Sequence, residues 1–364
     1  MCSRMMLGWI LLLFFAVPLS AQDEAFPVYC GNLPEADCTL LENAYAKLFQ
    51  LHSGSVEFRY WSAVSGAAEG EFFSETVTGV FSGFDANTAF PLDHTALFST
   101  VALDAIMEIN IPTGLPVATP DMPAYTQGRV RIVDGVLYVN LDALQEMLGA
   151  EYNGWGSYPL NLALSDTQPQ EGVIVLDPLV TGLDAGELIG AFEPEFVRQF
   201  LTVIRADDSE GNAVFETFVD INGLYAAPLF RELMRQRLEA QHATLNMPST
   251  EITDTRLDNL ARRMGELYPE PLLLYTQSID LETGFLSGYS TWGMFDISIM
   301  IEAAASNNDI TSWGQYPIHL SIAIRDFNQP YDIAAPEEAT ALDYETVMRV
   351  PITGFLPLAR PEED

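Results

Sequence analysis

A chain of 364 residues with 51 Asp and Glu against 16 Lys and Arg carries a formal charge of −35, which repels nucleic-acid phosphates and anionic lipid surfaces alike. Apolar residues make up 48% of it and charged ones only 18%, so disorder is excluded for most of the length. The length fits two small domains or one large β-rich one.

The chain opens MCSRMMLGWILLLFFAVPLSAQDEAF. Arg4, an apolar stretch from Leu7 to Val17, and small residues at Ser20 and Ala21 follow the pattern of a secretory signal over residues 1–21. The apolar core falls short of the roughly 20 residues that span a bilayer. The alternative is an uncleaved N-terminal anchor. Cys2 lies before this core and Cys30 well after it, so neither is placed for lipid attachment. The expected location is secreted or periplasmic, with the mature chain starting near Gln22 and holding no stable membrane span. Cys30 and Cys38, in a segment over 22–38, are expected to form a small disulfide loop in an oxidising compartment. Metal binding by the pair is the alternative, but no nearby His or second Cys pair completes four ligands.

TLLENAYAKLFQL, Thr39 to Leu51, places Leu40, Leu41, Ala44, Leu48 and Leu51 on one face of a helix with Thr39 as N-cap. Val56, Phe58 and Tyr60 then alternate with Glu57, Arg59 and Trp61, the period of a half-buried strand. Further strands are expected near Glu75–Phe84 and Ala96–Ile111, and the proline-rich stretch from Pro112 to Pro123 is a loop. RVRIV and VLYVN flank Asp134-Gly135, a type I′ hairpin signal. A helix over Leu141–Leu148 follows, then a turn-rich stretch, NGWGSYPL.

A helix is expected over Pro194–Leu201 and a second hairpin over Thr202–Ile221, with Asp207 to Asn212 at its tip. Helices follow over Pro228–His242 and Asp254–Tyr268. Strands resume at LLLYTQSID and GFLSGY, then as alternation over Phe295–Ile301 and over Ile318–Ile324. From Gln329 prolines recur, and residues 341–364 are expected to form an acidic, Pro-rich tail. No βαβ alternation occurs, which argues against a parallel sheet.

Chemistry is thinly signalled. No G-x-S-x-G, H-E-x-x-H, glycine-rich phosphate loop or C-x-x-C is present, so no catalytic residue, metal ligand or cofactor is assigned. His52, His94, His242 and His319 stand singly and are read as surface or satisfied side chains. Asp207–Asn212 lacks the spacing of a calcium loop and is read as a solvated tip. The informative feature is the set of strands with large apolar residues on one face. They form either an ordinary filled core or the wall of an apolar cavity.

TLLENAYAKLFQLHSGSVEFRYW, RVRIVDGVLYVNL, NGWGSYPL and the closing PYDIAAPEEA together resemble, in element order, the exported lipoprotein-carrier superfamily that includes LolA and the mycobacterial LppX and LprG lipoproteins. The resemblance covers about residues 39–340, with an enlarged helical middle over about 160–270. It implies an α+β fold in which a strongly curved antiparallel sheet, a half-open barrel, has helices covering its concave face. It also implies a hydrophobic small molecule, a lipid or an acylated protein as partner. The cavity wall would comprise Val56, Phe58, Tyr60, Val130, Ile132, Ile318, Leu320 and Ile322, with Met147, Leu148, Leu233 and Met234 from the lid. The competing functions are an extracellular or envelope interaction domain with a filled core, and a hydrolase with an unrecognised site.

Overall fold

The computed structural model describes residues 28–63, 72–85, 99–110, 125–142, 145–149, 152–160, 199–232, 235, 253–267, 269–296 and 315–349. The elements are α1 (Glu35–Lys47), β1 (Ser53–Ala63), β2 (Phe72–Ser82), β3 (Ala102–Asn110), β4 (Tyr125–Val133) and β5 (Val136–Asn140). They continue as α2 (Gln145–Leu148), β6 (Trp155–Pro159), β7 (Leu201–Arg205), β8 (Asn212–Val219), α3 (Ile221–Ala226) and α4 (Asp254–Leu267). β9 (Leu272–Asp280), β10 (Leu286–Asp296), β11 (Gln315–Arg325), β12 (Thr340–Ala341) and α5 (Tyr344–Arg349) complete the order.

All strands among the described residues belong to one twelve-stranded sheet in the order β12-β6-β5-β4-β3-β2-β1-β11-β10-β9-β8-β7. Every pairing is antiparallel except β12 with β6. The sheet curls but does not close, since β7 and β12 remain at its edges.

Period-2 alternation divides the sheet into an apolar and a polar face. One line of directly opposed residues on the apolar face runs Phe215, Gln277, Tyr289, Ile322, Phe58, Val77, Met107. The main core gathers the central and β6-side part of this face, from Leu320 and Phe58 through Val77, Val130 and Leu137 to Tyr158. Leu141, Leu148 and Val347 pack onto it from outside the sheet. A second core sets Leu41 and Ala44 of α1 on Ala213, Phe215 and Ile279. On the opposite face, Asp104 takes hydrogen bonds from Arg129 at 2.7 Å and Arg131 at 2.9 Å, and Glu57 meets Arg59 and Arg325.

Small residues on the apolar face permit close approach of neighbouring strands. A Cβ added at Gly79 would lie 2.6 Å from the Ala105 Cβ and 2.5 Å from the Asp104 carbonyl oxygen. Directly opposed Cβ atoms ordinarily stand about 4.5–5.5 Å apart. β2 and β3 therefore bend together at Gly79 more tightly than a side chain allows.

The first helix begins four residues earlier than the sequence predicts. Its N-cap is Pro34 rather than Thr39, and Glu35 and Asp37 occupy the first turn, where carboxylates complement the helix dipole. The Cys30–Cys38 disulfide is present, with Cα atoms 5.3 Å apart. It ties this turn to a segment in which Tyr29 Oη donates to the Leu201 carbonyl at 3.1 Å. Arg205 of β7 reaches Asp37 at 2.5 Å, joining the sheet edge to α1. Lys47, the single lysine of the chain, donates to the Thr283 carbonyl and fixes the other end of α1 to the β9–β10 turn.

The hairpin at Asp134-Gly135 forms as expected, with φ of 50° and 72° at its two turn residues. Several other expectations shift. NGWGSYPL is a strand rather than a turn: Gly154 (φ 67°) turns the chain and Tyr158 is buried in the core. Gly156 lies where an added Cβ would strike Leu342. Of the helix read over Leu141–Leu148, Gln145–Leu148 form α2, and Leu141 fills the core. Ile221, read as the end of a strand, opens α3, whose N-cap Asp220 accepts from the Gly223 amide at 2.9 Å. The second hairpin forms as expected within the middle region, β7 pairing antiparallel with β8 and extending the sheet. The stretch read as a Pro-rich tail contributes α5, whose Val347 is fully buried. Leu201, expected to end a helix, begins β7, and Gln199 and Phe200 before it lie in a turn; residues 194–198, most of Pro228–His242, and residues 297–301 lie outside the described residues.

Gly79→Val should destabilise the protein by about 1–3 kcal/mol through overpacking. A urea unfolding midpoint lowered relative to wild type is the expected outcome. An unchanged midpoint would show that β2 and β3 are not held in close approach there.

Candidate ligand-binding face

The apolar face carries the side chains that the sequence nominates for a cavity wall. Val56, Phe58 and Tyr60 oppose Ile324, Ile322 and Leu320 residue for residue. Phe58, Val130, Ile132, Leu148, Leu320 and Ile322 are buried in one core, and Val56 and Tyr60 pack against it partly buried. Ile318 lies in β11, opposite Ser62. The side chains of Ile318 and Met147, and the residues Leu233 and Met234, lie outside the described residues. Leu229, one turn before Leu233, is 54% exposed.

The next line of opposed residues on this face runs Thr217, Tyr275, Thr291, Leu320, Tyr60, Glu75, Ile109, Thr126. It carries polar groups at both ends, and the two ends differ in kind. On the β8–β10 side the groups are partnered. Gln277 donates to Tyr45, Thr291 Oγ1 donates to the Leu274 carbonyl at 2.6 Å, and Tyr275 is hydrogen-bonded with Thr217. The Tyr275 and Tyr289 rings stack with centroids 5.4 Å apart. Burial pushes the phenols of Tyr45, Tyr275 and Tyr289 above their ordinary range.

On the β2–β4 side the groups are not partnered. Glu75 is 1% exposed and Thr126 is 6% exposed. Neither carboxylate oxygen of Glu75 nor the Thr126 hydroxyl has a hydrogen-bond partner. Burial alone pushes the Glu75 carboxyl from 4.5 up to about 8, so at neutral pH it is mostly uncharged. Its neighbours across the strands are Tyr60 and Ile109, and along β2 on the same face are Phe73 and Val77. Sequence reasoning missed Glu75, although the signal is present. Phe73, Val77 and Phe81 share its parity in F-S-E-T-V-T-G-V-F, which places a carboxyl in phase with the apolar face.

Elsewhere the polar clusters are occupied. Asp208 in the acidic hairpin tip pairs with Arg205 at 2.9 Å, and Glu210-Gly211 form the turn with φ of 51° and 80°. Among the described residues, one group of metal-ligating types comes together, Cys30, Cys38 and Glu42, and its two sulfurs are bonded to each other. His52 makes its contact with the Phe84 carbonyl at 3.2 Å, and His319 sits beside Trp61 on the polar face. His94 and His242 lie outside the described residues. No helix among the described residues is long and apolar enough to cross a membrane.

No family model matches the chain, and no curated protein matches it. Among solved structures it is similar to the Mycobacterium tuberculosis lipoprotein LppX, at 9% identity over 81% of this chain and 97% of that one. The TM-score is 0.29, a likeness too weak to carry an assignment.

Because Glu75 binds its proton more tightly in the folded than in the unfolded chain, its contribution is fully present below about pH 4.5 and fades as pH rises through about 8. The shift corresponds to at most about 5 kcal/mol. Urea unfolding at about pH 5 and about pH 9 should therefore show a larger loss of stability for wild type than for Glu75→Gln. Equal losses would mean that Glu75 is already ionised in the folded protein.

Proposed function

We propose that the protein is an exported, non-enzymatic binding protein or carrier for a lipid or other hydrophobic ligand, taken up on the apolar face of the sheet. The observation that carries this is the unpartnered pair Glu75 and Thr126 among the buried apolar side chains Phe73, Val77 and Ile109. A finished core satisfies its buried polar groups, because each one left without a partner costs about 1–3 kcal/mol. A ligand supplies what the protein lacks there. The half-buried state of Tyr60, Tyr275 and Tyr289 on the same face supports room beside them. In this reading the curled sheet presents its apolar face as the concave one, with α1, α2 and α5 as cover. Export fits the Cys30–Cys38 disulfide, which persists in oxidising compartments.

An apolar ligand is held in proportion to the surface it buries, about 0.8 kcal/mol for each methylene, so a long chain needs little polar help. A charge on the wall opposes this directly. Phe58→Asp and Leu320→Asp should each lower the fluorescence gain of diphenylhexatriene at least about tenfold, with circular dichroism confirming a retained fold. Absence of any gain with wild-type protein would favour the other function, an interaction domain with a filled core.

A further inference from the structure

Glu75 and Thr126 lie on opposite sides of Ile109, one strand away in each direction. At the usual strand spacing their backbones are about 10 Å apart. Both side chains project from the same face, and both are buried with hydrogen-bonding capacity unused. An isolated unsatisfied group has a trivial explanation in local packing. Two on one line, flanking one apolar residue, define a place where a molecule with its own polar atoms completes the surface.

The chemistry of that molecule follows from what surrounds the pair. An anionic head needs a cation, yet the described arginines of the neighbouring strands, Arg59, Arg129, Arg131 and Arg325, lie on the opposite face and are engaged with Glu57 and Asp104. A cationic head needs an ionised carboxylate, and burial keeps the Glu75 carboxyl protonated. A carboxylic acid in an apolar wall is a hydrogen-bond donor, and a threonine hydroxyl is both donor and acceptor. The complement is an uncharged oxygen-bearing head on an apolar body. Resting on the carrier reading, we propose that Glu75 and Thr126 form a two-point anchor for the ester head of a neutral acyl lipid, the carboxyl donating to an ester carbonyl and the chains lying along the apolar face.

The experiment compares three fluorescent probes on full-length mature protein: a labelled diacylglycerol, the hydrocarbon diphenylhexatriene, and a labelled long-chain alkylamine. Glu75→Leu removes the donor while leaving an apolar surface of similar size, and so should raise the urea midpoint. It should also weaken diacylglycerol binding about five- to tenfold, with hydrocarbon binding unchanged or tighter. Thr126→Val should weaken diacylglycerol binding about threefold, and Glu75→Gln, which keeps a donor, should retain most of it. Diacylglycerol binding equal in wild type, Glu75→Leu and Thr126→Val would overturn the anchor while leaving the carrier standing. Preference for the alkylamine, lost in Glu75→Gln, would overturn the neutral-ester assignment. Failure of all three probes to bind wild type would overturn the carrier and the anchor together.

Discussion

A twelve-stranded sheet with one apolar face must keep that face out of water, and the structure is organised by this requirement. Register is the means. Along this line from β8 to β4 the directly opposed residues stay in phase, the register shifts at Thr217/Phe218 and Leu286/Gly288 lying off it, so Phe215, Tyr289, Ile322, Phe58, Val77 and Met107 share one face, and Arg59, Asp104 and Arg131 lie on the other. Small residues such as Gly79 let the strands close up on the apolar side. Among the described residues, Glu57 and Asp104 lie on the solvated side, where arginines pair with them. Segments remote in sequence pack onto the two cores: α1 from the N-terminal side, Leu148 from the middle and Val347 from the C-terminal side.

Within that face the polar groups follow two different rules. Tyr45, Gln277, Tyr275 and Thr217 satisfy one another, which is how a permanent core treats buried polarity. Glu75 and Thr126 do not, and the low dielectric that makes partnered groups strong makes these two costly. Proteins place uncompensated groups of this kind where function requires them and offset the cost through packing elsewhere. On the proposed reading, the carboxyl side of the face is the half that supplies polar recognition.

Much of the sheet was legible because alternation is a local signal. V-E-F-R-Y-W, I-H-L-S-I-A-I and the Asp134-Gly135 turn each announce themselves within a few residues, and each forms where expected. The misreadings share a cause. Trp155–Pro159 looked like a turn because its glycines are turn residues in isolation, whereas Gly156 is glycine because Leu342, far away in sequence, packs on it. Tyr344–Arg349 looked like tail because prolines precede it, and its burial depends on a partner face the local sequence does not contain. α1 begins at Glu35, and the Cys30–Cys38 bond, which joins its first turns to the segment before it, is a contact the helical pattern alone does not contain. The burial of Phe58 and Leu320 on the apolar face is legible from parity, while Glu75 is hidden among acidic residues so abundant that one more on a strand carries no signal by itself.

On the proposed carrier reading, the unpartnered carboxyl and hydroxyl on the apolar face mark a surface that is complete only with a guest. Native mass spectrometry of the protein freshly purified from an exporting host, with solvent extraction of whatever accompanies it, tests this most directly. A bound mass that is lost on extraction and proves to be an uncharged, acyl-bearing molecule is the result expected. A protein that carries no added mass under conditions preserving non-covalent complexes, and gains none after incubation with diacylglycerol vesicles, would contradict it.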